Sequence, residues 1–490
     1  MDEYFGSVAV VRLVLQRGLA AIYLVAFVSA LNQFPALLGD DGLLPVKRYV
    51  ERTRFRDGPS LFRLHYSDRL FRFVAWSGIV LSLLALSGLS ERGSVWLSAA
   101  VWLLLWAFYQ SIVNVGQTFY AFGWESMLLE AGFFAIFLGP SGAEPSLVPI
   151  LALRFMLLRV ELGAGLIKLR HDECWRKLTC LYWHHETQPL PNPLSIHFHR
   201  LPKALLRFGV LFSHFVQLVV PFGLLLPQPV SSIAGVVIVV HQGWLIVSGN
   251  YSWLNWLTVV LAVTAFSDEV LRTLIPIAVP AQAPRGTAHD VVLWLLGGAT
   301  LVLGVAPVKN LFSKHQRMNQ SYNPLHVVNS YGAFGSVTKI RHEVVLEATL
   351  DEAPDGDAVW REYEHHAKPG PLDRLPSQVA PYHLRLDWLM WFLPFGVRTH
   401  GERVLVPGYD RWFLRLVEKL LRADAPTLRL LRRAPFAQRP RFVRARYYRY
   451  EFADRQTQRT TGALWKRRLI GDYLSPTDLS DFRIEALDAE

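Results

Sequence analysis

The stretch VSSIAGVVIVVHQGWLIVS at residues 230–248 contains no Asp, Glu, Lys or Arg. Its length is close to the ~20 mostly apolar residues that a helix needs to cross the hydrocarbon core of a bilayer. Segments of this kind occur at 8–31, 71–90, 94–113, 122–139, 147–167, 205–227, 230–248, 252–270 and 288–306. Because the loop at Gly249 and Asn250 is very short for a connection between two spans, the sequence predicts seven to nine transmembrane helices.

The composition also indicates a membrane protein. Hydrophobic residues make up 51% of the 490 residues and charged residues only 19%, whereas about one quarter of a soluble domain is charged. The apolar segments end near residue 311, after which charged residues and prolines become dense. We therefore expect a multi-pass transmembrane domain at 1–311, with long loops at 32–70 and 168–204, and a polar domain at 312–490.

The polar domain shows the patterns of strands and of a helix. Residues 340–349 alternate between apolar and polar side chains, which is the period of a strand, and residues 441–452 are rich in aromatic residues. Between them, Asp410 is placed to cap a helix whose apolar residues recur on one face. The predicted fold is therefore an all-α membrane bundle followed by an α+β C-terminal domain.

The net charge of +11 fits a chain that lies beside anionic lipid headgroups. Eight arginines lie between Arg429 and Arg449 with aromatic residues among them, a mixture that can bind single-stranded nucleic acid. Next to a membrane, contact with lipid phosphates, an acidic partner or plain solvent is the more natural interpretation. We expect membrane lipids and no nucleic acid as partners.

Several apolar segments carry ionisable side chains. Such groups cost roughly 2.5 to 3.5 kcal/mol each at the bilayer centre, so they normally face the bundle interior and pair with one another. One interpretation is structural pairing between helices or snorkelling towards the interface. The alternative is a membrane enzyme or transporter that holds a lipid- or quinone-like ligand in an intramembrane polar cavity. The candidate residues are Glu125, Glu130, Arg154, Arg159, Glu161, His214 and His241.

The loop at residues 174–193, CWRKLTCLYWHHETQPLPNP, is too rich in cysteine, histidine, aromatic residues and proline to be a passive linker. Five residues separate Cys174 from Cys180, which allows a disulfide on an oxidising face of the membrane and buried free thiols on a reducing face. No zinc spacing occurs, and we expect no metal. A structural hydrogen-bond network in this loop is predicted for His184, His185, Glu186 and Gln188, with acid–base chemistry as the alternative.

The motif YGAFG at residues 331–335 places aromatic residues between glycines. Such a motif suits a tight turn packed into the sheet, because glycine allows close approach of the backbone. It also suits an exposed contact for a client chain, which requires both rings to be exposed to solvent. Tyr331 and Phe334 are therefore candidate client contacts.

Six blocks of the sequence resemble the lipase maturation factor family, and they span nearly the whole chain in order. They are LNQFPALLGDDGLLPV (31–46), WESMLLEAGFFAIFL (124–138), GAGLIKLRHDECWRKLTCLYWHHETQPLPNP (163–193), VNSYGAFGSVTKIRHEVVLEAT (328–349), PYHLRLDWLMWF (381–392) and PFAQRPRFVRARYYRYEF (435–452). The resemblance implies a chaperone-like, multi-pass membrane protein that assists the folding of secreted proteins such as lipases. It implies no defined catalytic residues and no cofactor.

The resemblance and the charge pattern disagree about orientation. The long loops at 32–70 and 168–204 are rich in Lys and Arg, and the positive-inside rule places such loops in the cytoplasm together with the C-terminal domain. The family resemblance places that domain in the lumen of the endoplasmic reticulum, or outside the inner or plasma membrane if the chain is bacterial. We follow the family, because long loops obey the charge rule poorly.

Overall fold

The computed structural model describes residue 4 and residues 6–400 and 403–482, so the last eight residues of the predicted polar domain lie outside the described part. Each of the nine predicted apolar segments contains a helix. The helices up to residue 312 are α1 (Ala9–Leu38), α2 (Val46–Arg52), α3 (Asp68–Leu86), α4 (Val95–Val113), α5 (Gly123–Ala135), α6 (Leu147–Arg170), α7 (Glu173–Arg176), α8 (Leu181–Thr187), α9 (Ser195–His199), α10 (Lys203–Leu218), α11 (Val220–Gly223), α12 (Val230–Ser248), α13 (Leu254–Ala262), α14 (Asp268–Leu274) and α15 (Thr287–Phe312).

Among the described residues, six helical segments are long and apolar enough to cross a membrane, fewer than the seven to nine expected. They are Ala9–Leu38, Asp68–Leu86, Val95–Val113, Lys203–Gly223, Val230–Ser248 and Thr287–Phe312. Helix α5 has 13 residues and is therefore about 20 Å long, short of the ~30 Å hydrocarbon core. Helix α13 is shorter still, with 9 residues. Helix α6 is long enough to cross the membrane, but it carries several charged side chains and is therefore not counted among these apolar helices.

The surface of the spanning helices is apolar. Leu301 is 78% exposed, Trp294 73% and Phe73 66%. A soluble protein rarely shows contiguous apolar surface of this kind, whereas lipid tails cover it at no cost. The observed surface therefore agrees with a multi-pass integral membrane protein.

The C-terminal region forms the predicted α+β fold. Its strands are β1 (Arg341–Thr349), β2 (Arg361–Glu362), β3 (Arg398–His400), β4 (Arg403–Leu405), β5 (Phe442–Phe452) and β6 (Trp465–Thr477), and its helices are α16 (Arg385–Phe392), α17 (Arg411–Leu421), α18 (Ala425–Leu428) and α19 (Arg455–Thr461). A four-stranded antiparallel sheet has the order β2-β1-β5-β6, with Val345 opposite Arg446, and β3 and β4 form a separate pair.

Helix α17 supplies the apolar layer beneath the sheet. Phe413, Leu416 and Leu420 are fully buried on one face of the helix, as its periodicity predicts. Asp410 occupies the N-cap position, but its side chain makes no capping hydrogen bond, so the start of the helix does not depend on the expected carboxylate cap. Burial of the apolar face explains why the helix forms at this place.

Polar contacts join the C-terminal region to the helical bundle. On α1, the Gln33 amide donates to the carbonyl of His383 at 2.7 Å, and the Arg385 N–H donates back to Gln33 Oε1 at 2.9 Å. On α6, a Cβ built at Gly163 would collide with the carbonyl oxygen of Tyr331, so glycine permits this close approach. The two regions therefore share one packed interior.

Candidate functional site

The loop that follows α6 is closed by a disulfide. Cys174 and Cys180 are bonded, and their Cα atoms lie 4.8 Å apart, within the usual range for a disulfide. The Asp172 side chain caps the backbone N–H of Cys174 at 2.9 Å and accepts from the N–H of Val337 at 3.1 Å. The loop is therefore attached to the segment that leads into β1. Asp172 and the two cysteines lie close together, but both thiols are consumed in the bond.

Two of the predicted loop residues belong to one buried hydrogen-bond chain. The Tyr251 hydroxyl donates to the Gln188 amide oxygen and lies 2.8 Å from His184 Nε2. Because that hydroxyl has one proton, His184 Nε2 must donate to its oxygen. The Gln188 amide donates in turn to Ser195 Oγ at 2.7 Å. Burial lowers the pKa of His184 to about 4, so this imidazole is neutral at pH 7.

Glu186 and His185 lie apart from this chain. The Glu186 carboxylate accepts from the N–H of Phe452 at 2.6 Å, and Arg341 donates to the Glu186 carbonyl at 2.9 Å. These contacts connect the loop to strands β1 and β5. His185 is buried, and no described residue forms a hydrogen bond with either of its ring nitrogens. Burial holds the pKa of His185 well below its usual value, so this imidazole is also neutral.

A buried ion cluster supports strand β1 on the other side of the loop. Arg341 and Lys368 both contact the Glu343 carboxylate at 2.5 Å, and all three side chains are almost completely buried. Burial raises the pKa of Glu343, but Lys368 and Arg341 more than offset it, so the net pKa is lowered. Glu343 is therefore ionised and holds the two cations in place.

The two carboxylates of α5 are fully occupied by partners. Glu130 contacts Arg159, accepts from the backbone N–H of Asn329 at 2.7 Å, and accepts from the Tyr331 hydroxyl at 2.8 Å. Glu125 receives Arg385 at 2.6 Å and the Tyr109 hydroxyl at 2.5 Å. A cation of the C-terminal half thus neutralises Glu125, whereas Glu130 is paired with Arg159 of α6 and accepts hydrogen bonds from the C-terminal half.

Arg154 and His214 also have defined contacts. Arg154 donates to the carbonyls of Leu224 and Thr264, and His214 lies 3.1 Å from the carbonyl of Trp175. These contacts join α6 and α10 to neighbouring elements. Neither side chain lies among the residues that line the large cavity described below.

The structure contradicts the predicted client contact at Tyr331. Its ring is only 2% exposed, because the hydroxyl is needed to satisfy the buried carboxylate of Glu130. The ring of Phe334 is half-buried, packs 5.0 Å from Tyr251 and 5.6 Å from His184 between ring centroids, and so is not a free surface aromatic. The YGAFG motif instead packs against the bundle.

A cavity of about 890 Å³ lies between α6, α10, α12 and α13. Loop 181–189 and residues from 331–336 and 388–395 complete its wall. Of the predicted intramembrane charges, Glu161 and His241 line it, whereas Glu125, Glu130, Arg154, Arg159 and His214 do not. The interpretation as structural pairing therefore applies to some of the seven predicted intramembrane residues, and the interpretation as a polar cavity wall applies to Glu161 and His241.

The polar wall of the cavity is organised around α6. The Gln242 amide donates to Glu161 Oε1 at 2.7 Å, and Asn255 donates to Gln242 at 2.7 Å. Two turns further along the helix, the Lys168 ammonium donates to Gln217 at 2.8 Å and lies 4.8 Å from the centre of the Trp175 ring. A carboxyl group and an ammonium group thus face one largely apolar space.

Sequence reasoning missed several residues of this interior. By position Lys168 belongs to the basic loop, although it follows Glu161 by seven residues and so lies on the same face of a helix. Arg385 and His383, which surround Glu125, belong to the block at 381–392, where a charge among aromatic residues was the available signal. Their partner could not be read from the sequence, because more than 250 residues separate them from Glu125.

These features define a class: a multi-pass integral membrane protein whose C-terminal α+β domain is joined to its helices through a buried ion pair and buried hydrogen bonds. The profile of the lipase maturation factor transmembrane domain matches residues 10–273, and that of the lipase maturation factor C-terminal domain matches residues 327–475. The chain belongs to the lipase maturation factor family.

Curated relatives match almost the whole chain. It is 41% identical to lipase maturation factor 1 of Mus musculus over 98% of its own length and 89% of the relative. It is 40% identical to lipase maturation factor 1 of Homo sapiens, with the same coverage. Identity to lipase maturation factor 2 of Homo sapiens is 29%, over 96% of the chain and 83% of the relative. No solved structure matches the chain.

Proposed function

We propose that this protein assists the maturation of secreted lipases. The observation that carries the proposal is the similarity of 98% of the chain to proteins named lipase maturation factor 1. Both parts of the chain are included, so the proposal concerns a membrane domain and a C-terminal domain that act together. In this role the protein holds partly folded clients and limits their aggregation without a covalent step.

The C-terminal domain, residues 312–490, works on the oxidising side of the membrane in this proposal. Disulfides persist in the lumen of the endoplasmic reticulum or outside a bacterial inner membrane, and not in the cytosol. The disulfide loop contacts the C-terminal domain through Asp172 and Val337, so both lie on the same side. A glycosylation or redox-sensitive reporter fused after Glu490 tests this. A cytosolic signal would contradict the placement.

The client surface in this proposal is the outer edge of the sheet. Strand β6 has 13 residues, ends the strand order, and exposes Lys466, Arg468 and Leu469. Among the described residues no strand pairs with that edge. An unpaired strand edge can add a strand from another chain, with backbone hydrogen bonds giving affinity. A partly folded secreted protein offers such strands. The rings of Tyr331 and Phe334 are buried or half-buried, so they are not part of this client surface.

The buried contacts of Glu125 and Glu130 serve this role by fixing the domain. Glu125 and Glu130 each bind residues of the C-terminal half, so the sheet cannot separate from the membrane without exposing buried charges. Breaking the Glu125–Arg385 pair by removing one partner costs about 3 to 5 kcal/mol. The client surface is thereby held at a constant distance from the bilayer.

Co-expression with a secreted lipase in a host that lacks its own family member tests the proposal. We expect more active lipase in the medium with the chain than without it, at equal lipase synthesis. Leu469→Glu places a charge on the β6 edge and should abolish much of this gain. Val359→Glu is the matched control, because Val359 is also exposed, at 60%, but lies outside the strands.

Two results would contradict these ideas separately. Equal secretion of active lipase with and without the chain would refute the maturation role. Full activity of the Leu469→Glu variant, or equal loss in the Val359→Glu variant, would refute the β6 edge as the client surface and leave the maturation role standing. Membrane levels of each variant are measured on the same samples.

A further inference from the structure

The cavity described above opens towards lipid. Leu205 (54% exposed), Phe208 (62%) and Trp244 (42%) line it and also reach the outer surface of the molecule. All three belong to the membrane-spanning segments Lys203–Gly223 and Val230–Ser248. Because the hydrocarbon of the bilayer covers that surface, a molecule can pass through this opening from the membrane without crossing water.

The interior of the cavity presents polar atoms without partners. No described residue forms a hydrogen bond with Nδ1 of His241 or with either ring nitrogen of His185. Gln217 lies near Glu161, yet no described residue makes a hydrogen bond of normal geometry to Glu161 Oε2. Each of these three unsatisfied side chains is at most 3% exposed. A buried polar group without a partner costs about 1 to 3 kcal/mol, so several in one cavity mark a site where water or a bound molecule must supply the missing hydrogen bonds.

The unpaired atoms specify the chemistry of that molecule. Neutral imidazole offers one donor and one acceptor, and a carboxyl group chiefly accepts. Hydroxyl groups, which both donate and accept, satisfy this set. A phosphate head would require several donors or cations, whereas the ammonium of Lys168 already donates to Gln217 and Ser213 and faces the carboxyl of Glu161. The formal charges of these two groups cancel.

The rest of the wall suits an acyl chain. Phe208, Phe212, Leu245 and Leu254 line the space together with aromatic rings from residues 388–395. Its volume of about 890 Å³ falls in the range of sites that bury most of a small-molecule ligand. An amphipathic molecule can therefore place its chain towards the opening and its polar head beside the buried groups.

We propose that this cavity binds a neutral, hydroxyl-bearing lipid drawn from the bilayer. The head forms hydrogen bonds with Glu161, His241 and His185, and the acyl chain extends past Phe208 to the membrane. The site is separate from the proposed client surface on β6. Its occupancy can therefore be measured without any lipase.

The test uses the full chain purified in detergent, with 1-monooleoylglycerol as the probe. We expect saturable binding that raises the thermal midpoint of unfolding, and much weaker effects from oleate, oleylamine and dioleoylphosphatidylcholine. Ala164→Phe fills the space from α6 and should weaken binding by about tenfold or more. Thr300→Val is the matched control, a buried polar residue on α15 that does not line the cavity.

A photoreactive monoacylglycerol keeps the proposal testable if the Ala164→Phe variant fails to fold. Its label should appear on peptides from α10 and α12 of the unchanged protein and should be displaced by excess monooleoylglycerol. Labelling confined to other helices would overturn the proposal. Equal binding by wild type and a folded Ala164→Phe variant, preference for phosphatidylcholine, or no binding of any probe would overturn it as well.

Discussion

Replacing Glu130 is the sharpest test of how the C-terminal half is held on the bundle. Glu130→Ala removes the carboxylate that contacts Arg159, the backbone and side chain of Asn329, and the Tyr331 hydroxyl. Arg159 keeps the carbonyl of Asn329 as an acceptor, but its charge is left without a counter-ion in a site that is 0% exposed. The change therefore leaves an uncompensated buried cation.

The expected magnitude depends on which interaction each substitution removes. Removing one partner of a buried ion pair costs about 3 to 5 kcal/mol of unfolding free energy. Tyr331→Phe removes the hydrogen bond that the hydroxyl donates to Glu130 and the one that it accepts from the Asn329 amide at 3.1 Å, and should cost about 1.5 to 3 kcal/mol. In the double variant Glu130→Ala with Tyr331→Phe, the cost should be less than the sum, because the tyrosine has lost its charged acceptor once Glu130 is replaced.

The assay is denaturant unfolding of the detergent-solubilised protein, followed by tryptophan fluorescence, with protease cleavage in residues 313–340 as a local readout. We expect the Glu130→Ala variant to be cleaved faster there, since Asn329 and Tyr331 are released together. Ser98→Ala is the control. Ser98 is fully buried in a span, and its hydroxyl has no hydrogen-bond partner among the described residues, so its removal should be nearly neutral.

Two outcomes would refute this reasoning. One is a Glu130→Ala variant that unfolds with the wild-type free energy. The other is a Tyr331→Phe variant of wild-type stability that no longer supports lipase secretion. The second result would restore the surface role that burial of the ring argues against.

Three further predictions concern other parts of the chain. Replacing both Cys174 and Cys180 with Ser should cost roughly 2 kcal/mol of stability, from the entropy of a short loop, and an unchanged thermal midpoint of unfolding would contradict it. The pKa of His184 is about 4 in the folded protein and about 6.5 when unfolded, so its contribution to the free energy of unfolding is fully present above pH 6.5 and falls by up to about 1.4 kcal/mol per pH unit towards pH 4. His184→Gln should reduce the slope of unfolding free energy against pH, and an unchanged slope would count against this prediction. Gly163→Ala forces a methyl group into a facing carbonyl and should lower the free energy of unfolding by about 1 to 3 kcal/mol, whereas Gly298→Ala, with no atom near the new methyl group, should be neutral or stabilising by up to about 1 kcal/mol. Equal melting temperatures of the two variants would contradict this prediction.

Local patterns predicted the elements well. The strand expected at 340–349 is β1 (Arg341–Thr349), the strand expected at 441–452 is β5 (Phe442–Phe452), and the helix after Asp410 is α17 (Arg411–Leu421). Periodicity is a property of neighbouring residues, so a single sequence contains it. The number of spans was harder, because α5 and α13 are apolar but too short to cross the bilayer.

The assignment of single residues to roles was less predictable. The glycine-rich motif around Tyr331 suggested a surface contact, but the Tyr331 hydroxyl instead donates a hydrogen bond to the Glu130 carboxylate, 201 positions away in the chain. Lys168 looks like part of a basic loop and instead lies in the cavity wall. In both cases a hydrogen-bond partner comes from a helix that is distant in the chain, and the sequence does not report that contact.

The amino-acid sequence alone determined that this chain crosses a membrane several times, ends in an α+β domain and belongs among the lipase maturation factors. These properties follow from hydropathy, short-range periodicity and motifs, all of which are carried by contiguous residues. Only the tertiary structure decided which charges neutralise one another and which face the cavity. That division depends on how α6 rotates its Arg159 towards α5 and its Glu161 towards α12, and such a rotation is set by packing across the whole bundle.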